Sequence, residues 1–123
     1  MKGKILYMDD DAFFSDLLSK KIRNAGYEVD VVPNGEAGIK LIHAGYDLIL
    51  LDIVMPRMDG FQVLKYIRDD ATVRDIPVIV LSNLGSEEDI NRARELGASV
   101  CLVKAAMIPS HILASIEQVL EQR

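Results

Sequence analysis

Five short apolar runs, KILYM, YEVDVV, DLILL, PVIVL and VCLV, recur along this chain, and a longer stretch with helical spacing follows each one. That alternation constrains the fold more than any other feature. Runs this short are too short to span a bilayer. Apolar strands linked by helices imply a parallel sheet covered on both faces. The pattern predicts strands over 4–8, 27–32, 47–51, 77–81 and 100–103. Five helices should alternate with them. The first runs over 12–25, with Phe14, Leu17, Leu18 and Ile22 on one face and Gly26 as its stop. The second is capped by Asn34, beside the Asn34-Gly35 turn, and reaches about Ala44. The third follows Asp59-Gly60 and carries Phe61, Leu64 and Ile67. The fourth follows the box-like Ser86-Glu87-Glu88-Asp89, carries Ile90, Ala93 and Leu96, and ends at Gly97. The last starts near Pro109 with Ile112, Ile116 and Leu120 one turn apart.

In a sheet of this kind the connections are right-handed, and ligands bind outside the carboxyl ends of the strands, where the strand order reverses. The residues at those ends are therefore the informative ones. The first strand runs into Asp9, Asp10 and Asp11. The third meets Asp52, the fourth ends in Ser82-Asn83, and the fifth ends at Lys104. The second ends in Val32-Pro33-Asn34, without an ionisable group.

Adjacent acids repel one another unless a cation offsets them. Clustered carboxylate oxygens suit a hard dication such as Mg2+, which takes one or two carboxylates and keeps several waters. Mg2+ commonly accompanies a phosphoryl group, and an aspartate can attack phosphorus to give an aspartyl phosphate. A lysine and a hydroxyl then supply positive charge and a donor to the phosphoryl oxygens. Each residue alone also has a plainer role. Asp11 suits a helix N-cap, Asp9 or Asp10 a helix-end acid, Lys104 a solvated surface, and Ser82 a turn. Asp52 resists that treatment, because it closes the most apolar strand of the chain. What points to chemistry is the set assembled on one rim.

The segments KILYMDDD, DLILLDIVMPRMDGF, VIVLSN and GASVCLVKA, in this order and spacing, resemble a response-regulator receiver domain of two-component signalling along the whole chain. LDIVMPRMDG is the most specific of them. The resemblance implies a flavodoxin-like, doubly wound α/β fold, with five parallel strands in the order 2-1-3-4-5 and five helices, as one receiver domain over 1–123. It implies that Asp52 is the phosphoacceptor, served by a histidine kinase or a histidine phosphotransfer protein. Asp10, Asp52 and the backbone carbonyl of Val54 would bind Mg2+ directly, with Asp9 completing the acid pair through water. Ser82 and Lys104 would bind phosphoryl oxygens. Output would pass to a downstream protein through the face made by the fourth helix, fifth strand and fifth helix, with a homodimer on phosphorylation as one outcome. The implied role is a signalling switch that promotes its own phosphorylation and dephosphorylation rather than an enzyme acting on an external substrate.

The sequence departs from the family pattern in several places. Ala105 follows Lys104 where the family has a cis proline. A cis bond before a non-proline residue costs about 2.5–4 kcal/mol, which favours trans here. Cys101 stands where the family carries a switch aromatic, and reads as a small buried hydrophobe. Asn83 replaces a small residue beside Ser82, where its bulk would narrow access to Asp52 or its amide would meet the phosphoryl group. Val54 and Leu84 cannot orient an attacking water, so self-hydrolysis should be slow. His43 and His111 read as surface residues, and the methionines as core filler. Ile108 offers no polar cap before Pro109, and Met107 and Ile108 are candidates for a partner surface.

Two other readings use the same residues. A haloacid-dehalogenase-type phosphatase would take Asp9 as nucleophile and Asp11 as acid/base, but leaves Asp52 unexplained and needs a longer chain. A phosphate-independent interaction module would account for Asn83, Ala105 and the missing aromatic at Cys101, but not for the complete set of acids, hydroxyl and lysine. A flavin-binding protein would need a Gly/Ser/Thr-rich phosphate loop, and none follows a strand. The formal net charge of −5, with no basic stripe, speaks against a nucleic-acid partner. One cysteine, no leader and no long apolar run lead to the expectation of a cytoplasmic protein without a membrane partner.

Overall fold

The computed structural model describes residues 2–83, 86–104 and 108–122. The five expected strands and five expected helices are all there. They run β1 (Lys4–Met8), α1 (Ala12–Asn24), β2 (Glu28–Val32), α2 (Gly35–Leu41), β3 (Leu48–Asp52), α3 (Gly60–Asp69), β4 (Val78–Ser82), α4 (Glu87–Glu95), β5 (Val100–Val103) and α5 (Pro109–Glu121). Every strand pair is parallel, and the order is β2-β1-β3-β4-β5.

Strand alternation divides the core in two. Ile5, Tyr7, Leu48, Leu50, Ile79 and Leu81 face α1 and α5, where they meet Leu18, Ile22, Ile112 and Ile116. Leu6, Met8, Ile49, Leu51, Val78 and Val80 face the other layer, against Phe61, Val63, Leu64, Ile67 and Ala93 of α3 and α4. All residues of β3 are buried, as expected of a central strand covered on both faces.

Several boundaries differ from those predicted. β3 includes Asp52, so the acid is the last strand residue rather than the first loop residue, and it pairs in register with Leu81. The second helix stops at Leu41, and a turn carries the chain to Gly45 at φ +84°. On α1 the buried stripe is Ser15, Leu18, Ser19 and Ile22, while Leu17 is 47% exposed. The two serines tolerate burial because each hydroxyl donates to a backbone carbonyl one turn back, on Ala12 and Asp16. Asn34, Asp59 and Ser86 cap their helices through side-chain oxygens. Asp59 and Gln62 complete a reciprocal capping box. Gly26 and Gly97 hold φ near +100° where α1 and α4 end. Ile108 makes no side-chain cap bond and is 57% exposed, as the sequence predicts. The Arg68 guanidinium donates to the carbonyls of Arg74, Ile76 and Gly97, tying α3 to the loops before β4 and β5. Leu84, Met107 and the Lys104–Ala105 bond fall outside the described residues.

Candidate functional site

Asp9, just past β1, is buried and fully engaged. Its Oδ2 accepts from the Tyr7 hydroxyl at 2.7 Å and from Lys104 Nζ at 2.8 Å. Its Oδ1 accepts from the Asp11 backbone N–H at 2.9 Å. Strand alternation explains the first contact, since residues two apart project to the same face.

Asp52 is also buried, yet its carboxylate is bonded far less. Oδ2 lies 3.8 Å from Lys104 Nζ. Oδ1 has no hydrogen-bond partner, and among the described residues no other buried side-chain polar atom shares that condition. An unpartnered buried oxygen normally costs about 1–3 kcal/mol, so it calls for an explanation. Asp10 is exposed, but one oxygen from each of Asp9, Asp10 and Asp52 falls within 4.8 Å of the others. That oxygen set suits a hard dication. The Asp52 carboxyl is pushed from its ordinary 3.8 up to about 7, first by burial, then by the charge on Asp9, against a smaller opposing pull from Lys104. Burial and the same Asp9 charge raise the Tyr7 phenol.

Lys104 is not solvated: its side chain is 7% exposed. Its ammonium sits between Asp9 and Asp52, with the Phe14 ring centroid 4.5 Å away. Ser82 ends β4, buried, in register with Val103. Asn83 beside it and Val54 after β3 are exposed. Gly60, the first residue of α3, lets that helix start directly against β3. A Cβ there would lie 2.5 Å from the Asp52 carbonyl oxygen and 2.7 Å from Ile53 Cα. Arg57 takes the left-handed conformation at φ +67° in the same loop, and its Nε donates to Glu36. The Gly60 N–H then closes the loop onto the Ile53 carbonyl at 2.8 Å.

The sequence-predicted residues Asp9, Asp10, Asp52, Ser82 and Lys104 thus gather at one end of the sheet. The sequence reading does not assign Tyr7 or Phe14 to the site. The i, i+2 relation between Tyr7 and Asp9 was the available signal for one, and no comparable signal marks the other. Cys101 is half-buried at the core edge rather than fully buried, because β5 is an edge strand. His43 is a surface residue, paired with Asp70 at 2.9 Å, and His111 is exposed. The phosphatase alternative fits poorly. Its nucleophile, Asp9, is held by three donors, and its acid/base, Asp11, caps α1 through Phe14 N–H.

The family description "Response regulator receiver domain" matches residues 5–117. The chain belongs to this receiver-domain family. A CpxR homolog of Haemophilus influenzae, a transcriptional regulatory protein, is 36% identical over 102 residues, 83% of this chain and 44% of that protein. The chain spans less than half the length of the curated relatives it matches first. Among solved structures, the chemotaxis protein CheY4 of Vibrio cholerae superposes with a TM-score of 0.87 at 30% identity, covering 95% of this chain and 98% of that one. The Mn2+-bound form of response regulator Rcp1 superposes with a TM-score of 0.82 at 25% identity, covering 94% and 92%. Receiver domains act in two-component signalling with histidine kinases and phosphotransfer proteins, and they bind Mg2+ at an aspartate cluster such as this one. No helix among the described residues is long and apolar enough to cross a membrane.

Proposed function

We propose that this chain, as one receiver domain over 1–123, accepts a phosphoryl group on Asp52 from a histidine kinase or histidine phosphotransfer protein and thereby switches a protein-binding surface. The observation that carries the reading is the buried, unpartnered Asp52 Oδ1 beside a lysine ammonium and two further acids. A nucleophilic oxygen must be unencumbered: Asp52 Oδ1 accepts no hydrogen bond, whereas both Asp9 oxygens do.

In the transfer, an Asp52 carboxylate oxygen forms the new P–O bond as the P–N bond to the donor imidazole breaks. The imidazole keeps the bonding pair and takes up a proton. Lys104 offers its ammonium, and Ser82 its hydroxyl, to the phosphoryl oxygens as charge builds there. Asp9, Asp10, Asp52 and the Val54 backbone carbonyl are the groups proposed to hold Mg2+. The Mn2+-bound state of a similar response regulator supports a divalent ion here. Once bound, Mg2+ supplies the charge that offsets acids and phosphoryl oxygens together. Val54 and Leu84 cannot orient a hydrolytic water, so the phosphoryl lifetime should exceed seconds.

The proposed output face is α4, β5 and α5. β5 is the sheet edge, with Val100, Cys101 and Val103 only half-buried, and Ile108, just before α5, is exposed. A homodimer through this face is one form the output can take. The names of the curated relatives describe transcriptional regulators, and DNA contact in those proteins is not assigned to this acidic chain.

Fluorine NMR with beryllofluoride tests the reading. Wild type with Mg2+ should give a bound fluoride signal that Asp52→Asn lacks. A folded wild type with no bound signal would favour the phosphate-independent module, with Asn83 and Ala105 the first positions to change.

A further inference from the structure

We propose that Tyr7 is a positioning residue for phosphoryl acceptance, acting through Asp9 to fix the Lys104 ammonium beside Asp52. This rests on the reading of Asp52 as phosphoacceptor.

Lys104 follows the edge strand β5, whereas Asp9 follows β1, three strands away in the sheet. A lysine stem has high rotamer freedom, so its head must be held by what it touches. Among the described residues, three groups lie near it: Asp9 Oδ2 at 2.8 Å, Asp52 Oδ2 at 3.8 Å and the Phe14 ring at 4.5 Å. The close contact is Asp9, so the position of Asp9 Oδ2 sets the position of the ammonium. Tyr7 fixes that oxygen from below, through its hydroxyl at 2.7 Å, while the Asp11 N–H holds the other oxygen.

The Tyr7 ring is fully buried between the sheet and the α1–α5 layer. An apolar residue of that size would fill the same space. The hydroxyl brings a polar group into the core that donates to the Asp9 carboxylate, so its value lies at the site. Its donation also draws charge from the oxygen that Lys104 shares, which leaves the ammonium less tightly claimed by Asp9 and able to turn a proton toward a phosphoryl oxygen.

Tyr7→Phe removes only the hydroxyl and tests this. With acetyl phosphate and saturating Mg2+, the variant should accept phosphoryl about tenfold more slowly, while its Mg2+ dissociation constant stays within about threefold of wild type. In nitrogen NMR, the buried Lys104 ammonium should give a signal in wild type that shifts or broadens in the variant. Phe14→Leu gives a second variant that leaves the Tyr7–Asp9 bond intact. It should slow the same step less than Tyr7→Phe does, because the close contact of Lys104 with Asp9 stays in place. An unchanged rate or an unchanged ammonium signal in Tyr7→Phe, or a Phe14→Leu variant as slow as Tyr7→Phe, overturns the positioning role. If wild type itself takes no label, the phosphoacceptor reading falls, and this inference with it.

Discussion

Replacing Asp52 with asparagine should stabilise the protein in the absence of divalent cations, although it removes the proposed nucleophile. With three carboxylates within 4.8 Å, each ionised pair repels by roughly 3.5 kcal/mol at an effective dielectric near 20. Lys104, 3.8 Å from Asp52, offsets about one such repulsion. Burial then decides the balance, and the carboxyl moves from 3.8 up to about 7. That displacement sets on the order of 4 kcal/mol against the ionised form. Asparagine leaves its own amide poorly partnered, so about 2 kcal/mol should be recovered. The sign with pH follows from the raised value. Below 3.8 the carboxyl is protonated in folded and unfolded chains alike, so the ionisation penalty is absent and the variant, with its poorly partnered amide, should be no more stable than wild type. As pH rises toward and through 7, wild type loses stability and the gap opens. Urea denaturation followed by circular dichroism, in EDTA at pH 4 and pH 8, measures this directly. Added Mg2+ should narrow the gap by stabilising wild type more. A variant less stable than wild type at pH 8, or a gap of the same size at both pH values, would refute the reasoning.

Gly60→Ala should cost about 1–3 kcal/mol in urea denaturation, because the new methyl meets the Asp52 carbonyl and the Ile53 backbone rather than a flexible side chain. Arg68→Ala should cost about 2 kcal/mol by the same measurement, since the Arg74, Ile76 and Gly97 carbonyls lose their shared donor. The Thr72 hydroxyl and backbone N–H, helped by His43, hold the Asp70 carboxyl down at about 2. Its contribution to stability is present above the ordinary 3.8 and is lost as pH falls toward 2, and a carboxyl NMR titration of wild type and Thr72→Val should show the midpoint rise in the variant.

Most of the fold was legible in the sequence because its strands are continuous apolar runs and four of its five helices carry their own side-chain caps. The prediction erred where tertiary contacts, not local pattern, set the outcome. Leu17 looked like core by hydropathy, but Ser15 and Ser19 take the buried stripe because backbone carbonyls satisfy their hydroxyls. The apolar run predicts a strand that stops before Asp52, because a carboxylate ordinarily ends a buried run. Its backbone instead continues the ladder opposite Leu81. The acids, serine and lysine could be found because strand ends in a parallel sheet share one rim. Which acid keeps a free oxygen could not be, since that depends on Tyr7 and Lys104 reaching Asp9 from two different strands.

Labelling by acetyl phosphate, read by intact mass on wild type and Asp52→Asn, tests the central claim most directly. Wild type should gain one phosphoryl group only when Mg2+ is present, and the variant should gain none. A stable label on Asp52→Asn, or none on a folded, Mg2+-supplied wild type sampled at short times, would contradict the assignment of Asp52.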